Sequence, residues 1–582
     1  MENENQKPKR SYRKVYIYSI IILVSIFFLF ALVFPPLIST YVLRPALKDG
    51  FNKLTSNSYH LSYNKLKLNL LSRNLEMSNI NIQAILDTHQ HQTVQSFHLD
   101  LLSLKKLSYW SLFLGELELK SVVLDQLKIN MELKTKVDSI QEHSAEMTQV
   151  NRYINSLLIK ELKLNNSDIC ISYNGDSLLM IDSSNFVFKN IQLDSLNHPK
   201  KKIPTVDFFQ ADIPQMDMFS KKNNIQISKL SIDEKRLTTF GLDCEQIQIV
   251  NKENGNFQKF TEVKMILDSI LRTDTGKRMH FSAKKFQIDC HSVTQKSYQL
   301  RNVKTDQLLK ELEQSINKVG VDIGFELFGF STDILELANP GFQTEISDLN
   351  IDFTNLSYDN GHLTNKNYTL SISNHSFQSN ATGNSWSTKK LDYFSNDGNL
   401  SIDDLEFNSS NPKQVLPIYR SSAINASQFQ LSELLSNHQI KMESLKIDTP
   451  QIYLENISQN QKKSSPFPLS IQINQFKINN GELDWQEKAL ILKQINLLTE
   501  NINIPIDYSG KIEDFFDEIM GDVGSLTWDQ SKKDYQLSLG NIQVDSRKGA
   551  ISVADVDIAF HKKDWPTKIL AKNIDLSGLN WL

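Results

Sequence analysis

The sequence predicts a mainly β protein of tandem strand-bulge-strand repeats behind a single N-terminal transmembrane helix. Three observations carry this reading. Apolar residues recur at i, i+2, i+5 and i+7 along the chain, long segments align to one another without gaps, and residues 15–34 form an uncharged stretch.

The stretch 15–34 contains only Ser19 and Ser25 as aliphatic polar groups. At 1.5 Å rise per residue, twenty residues span roughly 30 Å, enough to cross a bilayer core. Lys7, Lys9, Arg10, Arg13 and Lys14 precede it against Glu2 and Glu4, so the positive-inside rule leaves residues 1–14 in the cytoplasm and exports the rest. A cleaved signal peptide would have a shorter apolar region and a small-residue cleavage site. Here the run leads instead into Phe34-Pro35-Pro36-Leu37.

The apolar spacing begins at Leu61, Leu75, Leu117, Leu157, Phe186, Ile225, Leu242, Phe281, Leu400, Ile440, Ile471, Leu490, Leu537, Ile551 and Ile569. On a helix these four positions scatter around the axis and make no stripe. On a regular strand, i and i+2 would face one way and i+5 and i+7 the other. A β-bulge at i+3/i+4 supplies the extra residue that returns all four to one face. Each such strand has an apolar face, a polar face and added local twist.

Larger units repeat as well. Residues 59–82 align without a gap to 535–558, 157–169 to 471–483, and 117–131 to 440–454. The Asn165-Asn166 and Asn479-Asn480 pairs suit a hairpin-like connection. Helical spacing appears only in 136–155, in 306–319 (Leu308, Leu309, Leu312, Ile316, Val319) and in 512–520 (Phe515, Phe516, Ile519). The expected organisation follows: cytoplasmic tail 1–14, transmembrane helix 15–34, juxtamembrane connector 35–58, first repeat unit 59–134 and helical linker 135–156. Middle β repeats fill 157–305, a helical insertion 306–340, and C-terminal β repeats 341–582.

A net charge of −4 and 40% hydrophobic residues give no sign of a nucleic-acid partner. Cys170, Cys244 and Cys290 are too few for a disulfide framework, although an exported location would permit one bridge. Phosphate-binding glycine loops, zinc-protease and nucleophile-elbow motifs are absent from the sequence. His89 and His91 have no evident third ligand, and Ser282-Ala283-Lys284-Lys285 fits S-x-x-K only formally, lying across a bulge of the repeat. The chain is therefore read as a non-enzyme without cofactor or metal.

The anchor, the strand-bulge-strand units and residues 112–129 (LFLGELELKSVVLDQLKI) together resemble the AsmA-like proteins of Gram-negative envelopes. The family pattern G-x-I-x-I-x-x-L-x-L-x-x-P-x-I keeps its glycine here as Gly115. It has Leu127 at the proline position, and the later copy restores proline at Pro450. The resemblance implies an elongated, highly twisted antiparallel sheet forming a groove whose apolar face shields lipid acyl chains. It further implies anchorage in the inner membrane, a periplasmic body, and carriage of phospholipids between inner and outer membrane in support of outer-membrane integrity.

Candidate groove-lining residues are the apolar repeat positions Leu66, Leu68, Leu75, Met77, Ile80, Ile82, Leu117, Leu119, Ile159, Leu162, Ile227, Leu230, Leu400, Ile402, Leu405, Phe407, Ile473, Phe476, Leu539, Ile542, Val553 and Val556. For any one of them an ordinary hydrophobic core is an equal reading. Taken together they favour a groove, because few helical segments are available to cover so many one-faced strands. Expected partners are phospholipids or other acyl lipids and the inner membrane. A competing reading is an assembly or scaffold factor for outer-membrane protein biogenesis, with an outer-membrane or periplasmic protein bound through the C-terminal strands.

Overall fold

The computed structural model describes residues 38–55, 58–69, 71–85, 94–108, 111, 116–133, 156–173, 176–194, 205–235, 238–274, 279–298, 321–359, 362–409, 418–437, 439–454, 469–505, 518–530, 534–561 and 567–578. The expected transmembrane helix 15–34 and the His89/His91 pair lie outside them. Within the described residues no helix is long and apolar enough to cross a membrane. The chain divides into two units, Met1–Lys252 and Glu253–Leu582. Both are mainly β.

In the first unit a short π-helical turn, Ile38–Leu43, runs into helix α1 (Arg44–Leu54), which carries Pro45 in its first turn. The strands are β1 (Tyr59–Ser62), β2 (Lys65–Asn69), β3 (Asn74–Ala84), β4 (Val94–Lys105), β5 (Glu116–Leu119), β6 (Ser121–Leu133), β7 (Ser156–Tyr173), β8 (Asp176–Asp194), β9 (Phe208–Phe219), β10 (Asn223–Lys235) and β11 (Thr239–Asn251). β1 and β2 follow one another along β3, as β5 and β6 do along β7.

The second unit contains β12 (Phe257–Asp268), β13 (Leu271–Asp274), β14 (Met279–Lys296), β15 (Val321–Ala338), β16 (Phe342–Asp359), β17 (His362–Thr364), β18 (Asn367–Ser379), β19 (Asn384–Phe394), β20 (Asn399–Ser409) and β21 (Ile418–Ser427). Helix α2 (Leu431–Asn437) precedes β22 (Gln439–Asp448), β23 (Gln451–Leu454), β24 (Ser470–Trp485), β25 (Leu490–Ile504), β26 (Glu518–Gln530), β27 (Tyr535–Asp545), β28 (Ala550–Phe560) and β29 (Lys568–Leu576).

In each unit the strand pairing is mixed, which corrects the antiparallel expectation. β5 and β6 pair parallel with β7, β14 with β15, and β22 and β23 with β24. Each parallel pair spans one of the longer connections, after residues 133, 296 and 454. A parallel pairing requires such a crossover, because a tight turn can only reverse the chain. Two local expectations also change. Residues 321–338 of the expected helical insertion form strand β15, and Ile519 and Met520 belong to β26; the helix-spaced residues 308–319 lie outside the described residues.

The bulge predicted at i+3/i+4 takes a shared form. β3 and β4 pair Ser78 with Leu101 and then Ile80 with Leu99, so Asn79 and Asp100 are both skipped and the register is unchanged. β4 and β6 skip Asp100 and Gln126 in the same way. At each of the fifteen repeats the ladder is interrupted at i+3 or i+4 and resumes in register beyond it. The residue at i+4 has left-handed φ at Asn79, Asn190, Lys229, Asp404, Gln494, Asn541 and Asn573. In the remaining repeats a residue opposite the interruption does, as Lys106 does opposite Lys120. Neighbouring strands therefore share transverse creases.

The energetics favour the crease. A left-handed non-glycine residue costs about 1–2 kcal/mol, least for Asn and Asp. Without it, two apolar side chains per strand would turn to the polar face, each forfeiting up to about 1.5–3 kcal/mol of burial. The Asn-Asn pairs are thereby explained differently from the expectation. Asn166 (φ 48°) and Asn480 (φ 52°) are crease residues inside β7 and β24, and the strand continues through them.

Candidate functional site: an apolar sheet face in each unit

In the first unit the crease brings repeat positions from both of its sides onto one surface. Leu75, Met77, Ile80 and Ile82, the four apolar positions of one repeat, all belong to one cluster with Leu66, Leu99 and Leu127. Beside the crease, Ile80, Leu99, Leu127, Ser167, Ser184, Ile213, Leu230 and Cys244 follow one another across β3 to β11, and every one is buried. The bend draws this row together. Away from it, candidates such as Leu68, Leu75, Ile82, Leu117, Ile159, Leu162 and Ile227 are half-buried.

The candidates meet one another across strands. Leu66 faces Met77 and Leu68 faces Leu75. Leu117 and Leu119 face Leu157 and Ile159, Leu162 faces Val122, Ile227 faces Ile247, and Leu230 faces Ile213. In the second unit Leu400, Ile402 and Phe407 face Tyr393, Leu391 and Trp386, while Leu405 faces Ser421. Ile473 and Phe476 face Met442 and Leu445; Leu539 faces Val556, and Ile542 faces Val553.

The second unit adds a feature that the repeat count missed. Phe286, Phe328, Phe353, Tyr368, Tyr393 and Phe429 form a chain of rings, with successive centroids 5.4, 5.9, 5.8, 5.6 and 5.9 Å apart. The first four sit in direct register on β14, β15, β16 and β18. Such contacts contribute about 0.5–1.5 kcal/mol each beyond burial. Burial, with Tyr393 beside it, pushes the Tyr368 hydroxyl up to about 12, so it stays neutral. The Tyr393 hydroxyl donates to the Phe429 carbonyl at 3.2 Å. The alternation Phe325-x-x-Phe328-x-Phe330 was a usable signal, obscured by the expected helical insertion.

Hydroxyls close the backbone gaps left by the creases. Thr388 Oγ1 donates to the Asp403 carbonyl at 2.6 Å, Ser421 Oγ to Asp448 at 3.1 Å, and Thr332 Oγ1 to Ile334 at 3.0 Å. An unpaired buried carbonyl would cost about 1–3 kcal/mol, which explains these hydroxyls and that of Ser184, which donates to the Asp182 carbonyl at 3.1 Å; the buried Ser167 hydroxyl has no such partner among the described residues. Leu127 and its repeat counterpart Pro450 occupy equivalent places, each following a left-handed residue (Gln126, Thr449). Pro450 is tolerated there because it adjoins an interruption of the ladder rather than its regular part.

Charge is kept at the outer side of the creases. Lys229 pairs with Glu245 at 2.6 Å and Lys389 with Asp404 at 2.7 Å, both exposed pairs. Ser282 and Lys285 are strand residues of β14 on either side of a crease. No disulfide joins Cys170, Cys244 and Cys290. Chemically, a surface of this kind can accommodate apolar groups laid along it. The turn Ile38–Leu43 and helix α1 cover part of the first cluster through Leu43 and Leu47, and α2 part of the second through Leu431 and Leu434.

No protein-family profile matches the chain, and no curated protein shows significant similarity to it.

Proposed function

We propose that this protein is an inner-membrane-anchored periplasmic carrier that moves phospholipids between inner and outer membrane along its apolar sheet face, as AsmA-like proteins do. One observation carries the reading: shared creases keep a single face apolar on strand after strand, and most of that face is only half-buried within the protein. A sheet with one apolar face normally buries it against a second layer. Acyl chains supply that layer here, while headgroups remain in water and need no specific contact. The uncharged stretch 15–34 supplies the anchor.

Mass spectrometry of the purified chain tests this by its co-purifying lipid. Phospholipid is expected, and Ile447→Asp, which places a charge on the face of β22, is expected to remove most of it while circular dichroism still shows a folded sheet. Lipid-free protein would overturn the reading. The scaffold alternative draws support from β29, where Ile569, Leu570 and Leu576 are exposed. It predicts protein crosslinks from that strand and no lipid adducts from the apolar face.

A further inference from the structure

The second crease of the first unit carries a row of cations. Arg73 precedes β3, and its carbonyl accepts from the Leu107 amide at 3.0 Å. The register then sets Lys106 opposite Arg73, Lys120 opposite Lys106, and Lys160 opposite Lys120. All four side chains are exposed, as is neighbouring Lys105. Glu118 neutralises Lys160 at 2.9 Å. Arg73, Lys106 and Lys120 have no carboxylate partner among the described residues. Lys120 beside it, with Arg73, holds the Lys106 ammonium below the usual lysine range. The cluster is a set of like charges without its counterion.

Two further features share this rim. Leu71, in the turn between β2 and β3, is 61% exposed. The turn Ile38–Leu43 contacts β2, while α1 reaches β1 and Arg44 Nη2 donates to the Asn64 carbonyl at 3.3 Å. The helical segment thus runs antiparallel to β1 and β2, and its first residue, four positions after the apolar stretch 15–34, lies toward the Arg73 end.

We propose that this rim is a docking surface for an anionic bilayer, in which Arg73, Lys106 and Lys120 take lipid phosphates and Leu71 enters the headgroup layer. The inference rests on the anchored lipid-carrier reading and gives it an orientation: the apolar face meets the bilayer at the Arg73 rim. Each cation near an anionic surface contributes about fivefold to binding, and the attraction is screened by salt.

The test uses the full chain in vesicles of phosphatidylcholine with or without phosphatidylglycerol, carrying a photoreactive residue at Ser72, at His60 on the opposite rim, or at Ile82 on the apolar face. Lipid adducts from Ser72 are expected to rise with phosphatidylglycerol and to exceed those from His60. Combining Arg73→Glu, Lys106→Glu and Lys120→Glu is expected to lower them more than about tenfold. Equal adducts from Ser72 and His60, or adducts unchanged by charge reversal, would overturn the proposal. So would their loss on adding inorganic phosphate at matched ionic strength, which would mark a free-anion site. Adducts lost at Ser72 but kept at Ile82 reject the rim alone. The reverse pattern rejects the carrier reading and supports the rim.

Discussion

In the first unit the apolar face is aliphatic, built from Leu66, Met77, Ile80, Leu99 and Leu127, with Leu43 and Leu47 laid over part of it. In the second it is lined by the rings of Phe286, Phe328, Phe353, Tyr368 and Tyr393. Both lie on creased strands; Leu66, Met77 and Ile80 are repeat positions in the first unit, and Phe286 alone among these rings is one in the second. Within the repeats the pattern prescribes which face is apolar, while the side chains decide how that face is held. Aliphatic residues depend on the bend and on α1 for burial; aromatic residues also gain from stacking on one another across strands.

Truncation separates the two faces most strongly. Leu99→Ala removes a side chain that is 1% exposed and is expected to cost about 2–5 kcal/mol. Phe353→Ala, in a half-buried ring, is expected to cost about 2 kcal/mol despite deleting more atoms. Urea unfolding, with hydrogen exchange resolving the two units, measures both; equal losses would mean that the crease row is no better packed than the open face.

Smaller effects sharpen the role of the crease. Asn79→Ala is expected to destabilise the first unit by about 1 kcal/mol, because alanine tolerates positive φ poorly. Asn79→Gly is expected to stay within a few tenths. Asn541→Ala should reproduce the loss in the second unit. If alanine is tolerated at both, left-handed residues do not set the crease.

The smallest expected effect is pH-dependent and confined to the second unit. Burial holds His375 below its ordinary value, and its Nε2 lies 2.7 Å from Thr344 Oγ1. The unfolded chain therefore binds the proton more readily than the folded one. Stability is fully present above the unfolded value and falls as pH drops toward the folded one. The melting midpoint of the second unit should decrease from pH 7 to pH 5, and His375→Gln should flatten that decrease.

Much of this architecture is legible in the sequence, and the reason is geometric. The i, i+2, i+5, i+7 spacing cannot be satisfied by a helix or by a regular strand, so it locates the creases to within a residue. It does not say that Asp100 is skipped opposite Asn79, because register is a property of two strands. For the same reason Asn165-Asn166 reads as a turn when it is a crease. The parallel pairs β6–β7, β14–β15 and β22–β24 escape the spacing too, since strand direction is set by the connections. The aromatic ladder escapes because Phe353 and Tyr368 become neighbours only once β16 and β18 are paired.

The most direct test of the account compares photocrosslinking from the apolar and polar faces of both units in living cells. Photoreactive residues at Ile82 and Phe353 are expected to yield phospholipid adducts, and those at the exposed neighbours Gln83 and Asp352 few or none. Adducts from both faces alike, or from neither, would contradict a lipid-carrying apolar face.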